Sequence, residues 1–183
     1  MYIFLGFIAL LAFLIFLIVY YYNRFIKLKN QIDNAWSDID VQLKRRYDLI
    51  PNIVETVKGY AKHEKETLEN VIKARNMAMD ASSVQEKAQS ENILTGALKS
   101  IFALAEAYPD LKANQNFLSL QQTLTEIEDS LQMARRYYNA VVRDYNVLCE
   151  SFPSVLIANQ FHFTKRDFFE IDEKEKENVK VKF

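Results

Sequence analysis

Two histidines, one cysteine and a scatter of carboxylates are the residues of this chain whose types could do chemistry. His63-Glu64 opens like a zinc-protease helix, but that motif needs a second histidine where Thr67 stands. A di-iron site between helices needs Glu-x-x-His pairs. The residues three before His63 and His162 are Tyr60 and Asn159. Cys149 lies beside an apolar seam, where a cysteine serves as a small hydrophobe. Gly6, Gly59 and Gly96 stand alone, so no glycine-rich loop can cradle a phosphate. Acid pairs such as Asp38/Asp40 and Glu128/Asp129 fit helix surfaces, where Asp40 has Lys44 four residues on. The expectation is no catalytic residue, no cofactor and no metal, and therefore no enzyme.

One polar pattern stands apart. Arg136-Tyr137-Tyr138-Asn139 returns seven residues later as Arg143-Asp144-Tyr145-Asn146, which stacks like side chains along one helix face. Trp36, Asp38, Asp40 and Arg45 offer complementary groups from an earlier helix. Two readings stay open. The polar residues either fix the register of a bundle seam or form a docking face with Trp, Tyr and Arg as anchors. The expected face comprises Trp36, Asp38, Asp40, Arg45, Arg136, Asn139, Arg143 and Asn146.

The element that must position all of this is the first one. Tyr2 to Tyr22 carries no charge, and as a helix it would span roughly 31 Å, the thickness of a hydrocarbon core. No Lys or Arg precedes it, and its alanines, Ala9 and Ala12, sit in the first half. It therefore reads as an uncleaved anchor rather than a signal peptide. Tyr20, Tyr21 and Tyr22 suit the lipid–water boundary. Arg24, Lys27 and Lys29 follow it, and the positive-inside bias puts the body in the cytoplasm.

The rest reads as long helices. Three glycines and three prolines are too few for a turn-rich β protein. A stripe at steps of three and four runs from Ile32 through Trp36, Ile39, Leu43, Tyr47 and Ile50 to Ala61. Pro51 means either a kink in one helix or a new helix capped by Asp48. Glu64 to Asp80 is a second helix, and Ser83 with Glu86 is a capping box that opens a third. Pro109 ends that helix or begins the next, with Asn114 as a cap. Phe117 to Leu148 is the cleanest stripe, stopped at Ser151-Phe152-Pro153. Ser154 and Thr164 are candidate caps of short helices that return Phe161, Phe163, Phe168 and Phe169 to the body. Residues 170–183 read as a charged, solvated tail whose last five residues alternate like a short strand. The net charge of −1 gives no reason to expect nucleic acid.

The segment from Ala35-Trp36-Ser37-Asp38 to Lys44-Arg45-Arg46, with Asp48-Leu49-Ile50-Pro51-Asn52 and Glu55-Thr56-Val57-Lys58-Gly59-Tyr60, resembles the signature of LemA family proteins. Ala134-Arg135-Arg136-Tyr137-Tyr138-Asn139, Arg143-Asp144-Tyr145-Asn146 and Glu150-Ser151-Phe152-Pro153 are similar to its C-terminal half. The resemblance covers the whole chain. It implies a bacterial membrane protein with an antiparallel four-helix bundle, and no established reaction. Some family members are linked to membrane proteases, and magnetosome proteins also belong to the family.

The expected protein is thus all-α: a transmembrane anchor (1–22), a helical bundle (23–169) and a tail (170–183). It is expected in the inner membrane of a bacterial envelope, as a non-catalytic scaffold or adaptor. Its partners would be the lipid bilayer, further copies of itself or other membrane proteins. The alternative is a regulator or substrate-presenting partner of a membrane protease.

Overall fold

The uncharged run and the striped segment after it form one element. A computed structural model of the chain describes residues 1–170, and in it helix α1 runs unbroken from Tyr2 to Tyr60. No residue from Tyr2 to Tyr20 is buried. Among the described residues, α1 is the one helix long and apolar enough to cross a membrane. From Phe25 onward the character changes, and Phe25, Ile32, Ile39, Leu43, Ile50 and Val57 turn one face into buried core.

Pro51 lies inside α1 and does not end it. Of the two readings of this position, a new helix capped by Asp48 is therefore excluded. Proline cannot donate to the carbonyl four residues back, that of Tyr47. That carbonyl instead accepts from Arg75 Nε at 2.7 Å.

Five further helices follow: α2 (Lys65–Asp80), α3 (Val84–Glu106), α4 (Pro109–Lys112), α5 (Gln115–Glu150) and α6 (Ser154–Gln160). The starts obey local chemistry. Ser83 Oγ accepts from the Glu86 amide at 3.1 Å, and the Glu86 carboxylate accepts from the Ser83 amide at 3.2 Å. The capping box expected there is formed. Pro109 opens α4 at its first turn, where its missing N–H costs nothing. Asn114 Oδ1 accepts from the Phe117 amide at 3.0 Å and so starts α5. Among the described residues there is no strand.

Two expected caps are corrected. Ser154 is the first residue of α6 rather than its cap. Its hydroxyl donates to the carbonyl of Leu148 at 2.7 Å and lies 2.9 Å from that of Ser151, satisfying acceptors that the end of α5 leaves free. Thr164 starts no helix, because the backbone that follows it is held by side chains of α5: Asn146 by Arg166 and Tyr138 by Asp167. Of the expected aromatic return, Phe169 is buried and Phe163 half-buried, whereas Phe161 and Phe168 stay exposed. The tail, with its strand-like end, lies outside the described residues except for Glu170.

Contacts group the chain into two units. Of the described residues, one comprises 1–37 with 136–168, the other 38–135 with 169–170. Within the first, Phe25 meets Tyr145 edge-on at 5.7 Å and Trp36 meets Tyr138 at 5.4 Å, so α1 and α5 run antiparallel there. Within the second, side chains of α1, α2, α3 and α5 meet around Arg46 and Tyr47.

Candidate functional site

The expected boundary residues lie together on α1. Tyr20 is exposed and meets Tyr21 edge-on at 5.2 Å, and Arg24 and Lys27 are exposed. Tyr22 is different: its ring packs against Phe161 at 4.9 Å and Phe163 at 5.8 Å. Phe163 in turn stacks on Phe25 at 4.5 Å.

The expected docking face divides between the two units. Trp36, Arg136, Asn139, Arg143 and Asn146 belong to one, and Asp38, Asp40 and Arg45 to the other. Trp36 is half-buried against Tyr138, and Asn139 is half-buried. Arg136 is exposed, and Arg143 is exposed and pairs with its neighbour Asp144 at 3.4 Å. Asp38, Asp40 and Arg45 are exposed, and Arg45 donates to the Gln42 side chain at 3.1 Å.

Asn146 is buried and committed. Its amide donates to the Arg166 carbonyl and accepts from the Arg166 N–H, both at 2.9 Å. The Tyr138 hydroxyl donates to the Asp167 carbonyl at 3.0 Å. Burial pushes the phenols of Tyr138 and Tyr145 and the Cys149 thiol above their ordinary values, so Cys149 is a thiol and not a nucleophilic thiolate.

The densest polar cluster was missed from sequence. Arg46 and Glu91 are both fully buried and paired to one another. Arg46 also donates to Thr95 Oγ1 at 2.8 Å and reaches Glu128, on α5, at 2.7 Å. The second oxygen of Glu91 accepts from the Tyr47 hydroxyl. Burial, then the Glu91 charge and the hydrogen bond to it, raise the Tyr47 phenol well above its ordinary value, with Arg46 opposing. The signal was in the stripes. Arg46 sits three after Leu43 and four before Ile50, and Glu91 sits three before Leu94. Both positions belong to apolar faces, and a charge there needs a buried partner.

Both oxygens of Glu91 meet donors, while the buried Arg46 Nε has no hydrogen-bond partner among the described residues; the pairing of the two charges is that of a structural pair. His63 and His162 are both exposed. Among the described residues, no group of His, Cys, Asp and Glu could hold a metal. A groove of about 670 Å³ lies between α1 and α2, with Val54, Leu68 and Ile72 in its floor and Lys58, Lys65 and Lys73 at its rim. Glu55, Glu69 and Asp80 line it too, and Lys58 and Lys65 pair with the first two, so it offers apolar contact within a rim of mixed charge.

The model of the LemA family matches residues 35–183. The chain is 28% identical to Protein LemA of Metamycoplasma hominis over 86% of its own length and 72% of that protein's. It is 22% identical to magnetosome protein MamQ 2 of Paramagnetospirillum magneticum, covering 81% of this chain and 64% of the relative. Magnetosome protein MamQ of Magnetospirillum gryphiswaldense is similar at 22% identity, over 88% and 69% respectively.

Proposed function

The chain belongs to the LemA family, and we propose that it is a membrane-anchored, non-catalytic scaffold or adaptor of the bacterial cell envelope, acting through protein–protein contacts or self-assembly. One observation carries this reading. The apolar run and the first helix of the body are a single element, Tyr2–Tyr60, so whatever the body binds is held at a bilayer. The engagement of Arg46, Glu91 and Tyr47 with one another supports a stabilising rather than a reacting role for the buried charges.

In this reading α1 beyond the anchor, α2, α3 and α5 form an antiparallel four-helix bundle, supported by the convergence of their side chains at Arg46 and Tyr47. Arg24, Lys27 and Lys29 put that body on the cytoplasmic side. The partners are further copies of the chain or other membrane proteins, docking on the faces that carry Trp36, Arg136 and Arg143.

The test is cross-linking of the full chain in its native membrane, followed by solubilisation and mass spectrometry. Recovery of the chain with itself or with non-proteolytic membrane proteins is expected. A membrane protease recovered in equal amount would replace the scaffold with the protease-partner reading. Turnover by the purified chain that is lost on changing Arg136 and Arg143 would overturn both. Protease added to intact spheroplasts should spare the body, and its digestion there would reverse the side.

A further inference from the structure

The turn between α5 and α6 sits at a level that the antiparallel pairing fixes. Phe25 meets Tyr145. From Tyr145, α5 advances to Glu150 by ~7.5 Å, the same rise that takes α1 back from Phe25 to Tyr20. Glu150 therefore draws level with Tyr20, at the end of the uncharged run, and the chain continues beyond it. It returns at Phe161, whose ring lies 4.9 Å from that of Tyr22. Past Phe163 the backbone runs back along α5, tied at Arg166 to Asn146 and at Asp167 to Tyr138.

The composition of this turn is unusual for a protein surface. From Ser151 to Thr164 no residue carries a charge, apart from titratable His162. Charges resume only at its base, where Lys165 and Glu150 pair at 2.7 Å. Its large apolar side chains face outward: Phe152 is 81% exposed, Leu156 59% and Phe161 44%. The opposite side of α6 is spent on packing, with Ser154 and Ala158 buried.

We propose that this α5–α6 turn is a second membrane contact, immersed in the headgroup–acyl boundary of the bilayer that α1 enters. Phe152 and Leu156 insert, and Phe161 with Tyr22 forms an aromatic contact at the interface. The occupant is lipid because the turn is continuous, through Tyr22, with the lipid-exposed face of α1. The inference rests on the anchoring proposed above, and it adds that the body is held at two points rather than one.

Depth-dependent quenching tests it on the full chain in phosphatidylcholine vesicles whose acyl chains are brominated near the headgroup. A Trp36→Phe background receives Leu156→Trp, Phe152→Trp or, as the reference for the anchor, Ile15→Trp. Relative to unbrominated lipid, emission from positions 156 and 152 should fall about twofold, as for a ring buried just below the headgroups. Natural Trp36, ~21 Å along α1 from Tyr22, should be unaffected. Quenching at position 15 with none at 152 and 156 would overturn the second contact and leave the anchor standing. No quenching at position 15 would overturn the anchor, and this contact with it. Phe152→Trp keeps the test open should Leu156→Trp misfold.

Discussion

Arg75 Nε donates at 2.7 Å to the backbone carbonyl of Tyr47, the carbonyl that Pro51 leaves without a helical partner. A proline in a helix interior costs ~3 kcal/mol, through the lost bond and the clash of its ring. The guanidinium from α2 replaces the bond, and α1 continues past it to Tyr60.

Arg75→Met should therefore destabilise the detergent-solubilised chain by ~1–3 kcal/mol, the cost of a buried acceptor left unpaired. In a Pro51→Ala background the restored amide serves the same carbonyl, and Arg75→Met should cost at least ~1 kcal/mol less. Thermal melts of the four proteins give the coupling. Equal losses in both backgrounds would show that Arg75 acts elsewhere.

The buried pair makes a second contrast. Glu91→Ala takes from Arg46 its fully buried partner, leaving Glu128 and Thr95, and should cost up to roughly 3–5 kcal/mol. Arg46→Met with Glu91→Leu removes both charges and should cost clearly less than Glu91→Ala alone. Urea unfolding followed by helical signal would rank them, and a double variant weaker than the single would refute the pairing.

Alkali should find the same cluster. The Tyr47 phenol is held above its ordinary value of 10.0 in the folded chain. Its contribution is complete below that value and is lost as pH rises beyond it, because the unfolded chain releases the proton first. Stability should therefore fall from about pH 10 upward. Tyr47→Phe should flatten that slope while lowering stability at neutral pH, since Glu91 loses a donor. An unchanged slope between pH 9 and 11 would count against this assignment.

Arg136 and Arg143 are exposed, and Asn146 is buried. Changing both arginines to alanine should move stability by no more than ~0.5 kcal/mol per site, while recovery of a cross-linked partner falls sharply. Asn146→Ala should do the opposite: it frees Arg166 at a cost of ~1–3 kcal/mol. A large melting shift in the double arginine variant would return those residues to a register-fixing role.

What could be read in the sequence was what neighbours along the chain decide. Ser83 and Glu86, Pro109 and Asn114 act within one helical turn, so their pattern is their mechanism. Tyr2 to Tyr22 was legible for the same reason, since length and lack of charge suffice. Pro51 was ambiguous because its rescue comes from Arg75, on another helix. Glu91 was hidden because a charge on an apolar stripe looks like a lapse in the stripe until its partner is found. Ser154 and Thr164 had the right types for caps. One was drawn back to the end of α5, and the backbone after the other was captured by Asn146 and Tyr138.

The unbroken course of α1 makes the protein sensitive to angular phase. Each residue of an α-helix advances by about 100°, and no turn or glycine between Tyr22 and Phe25 can absorb an added step. One residue inserted after Tyr22 would swing the whole apolar run by that angle, carrying Tyr22 away from Phe161 and Phe163. Seven inserted residues would nearly restore the azimuth but move the apolar run ~10 Å along the helix axis from Phe25. The length of this short segment is thus a setting in both rotation and height, and the aromatic rings of residues 161 and 163 are where a wrong setting would first be felt.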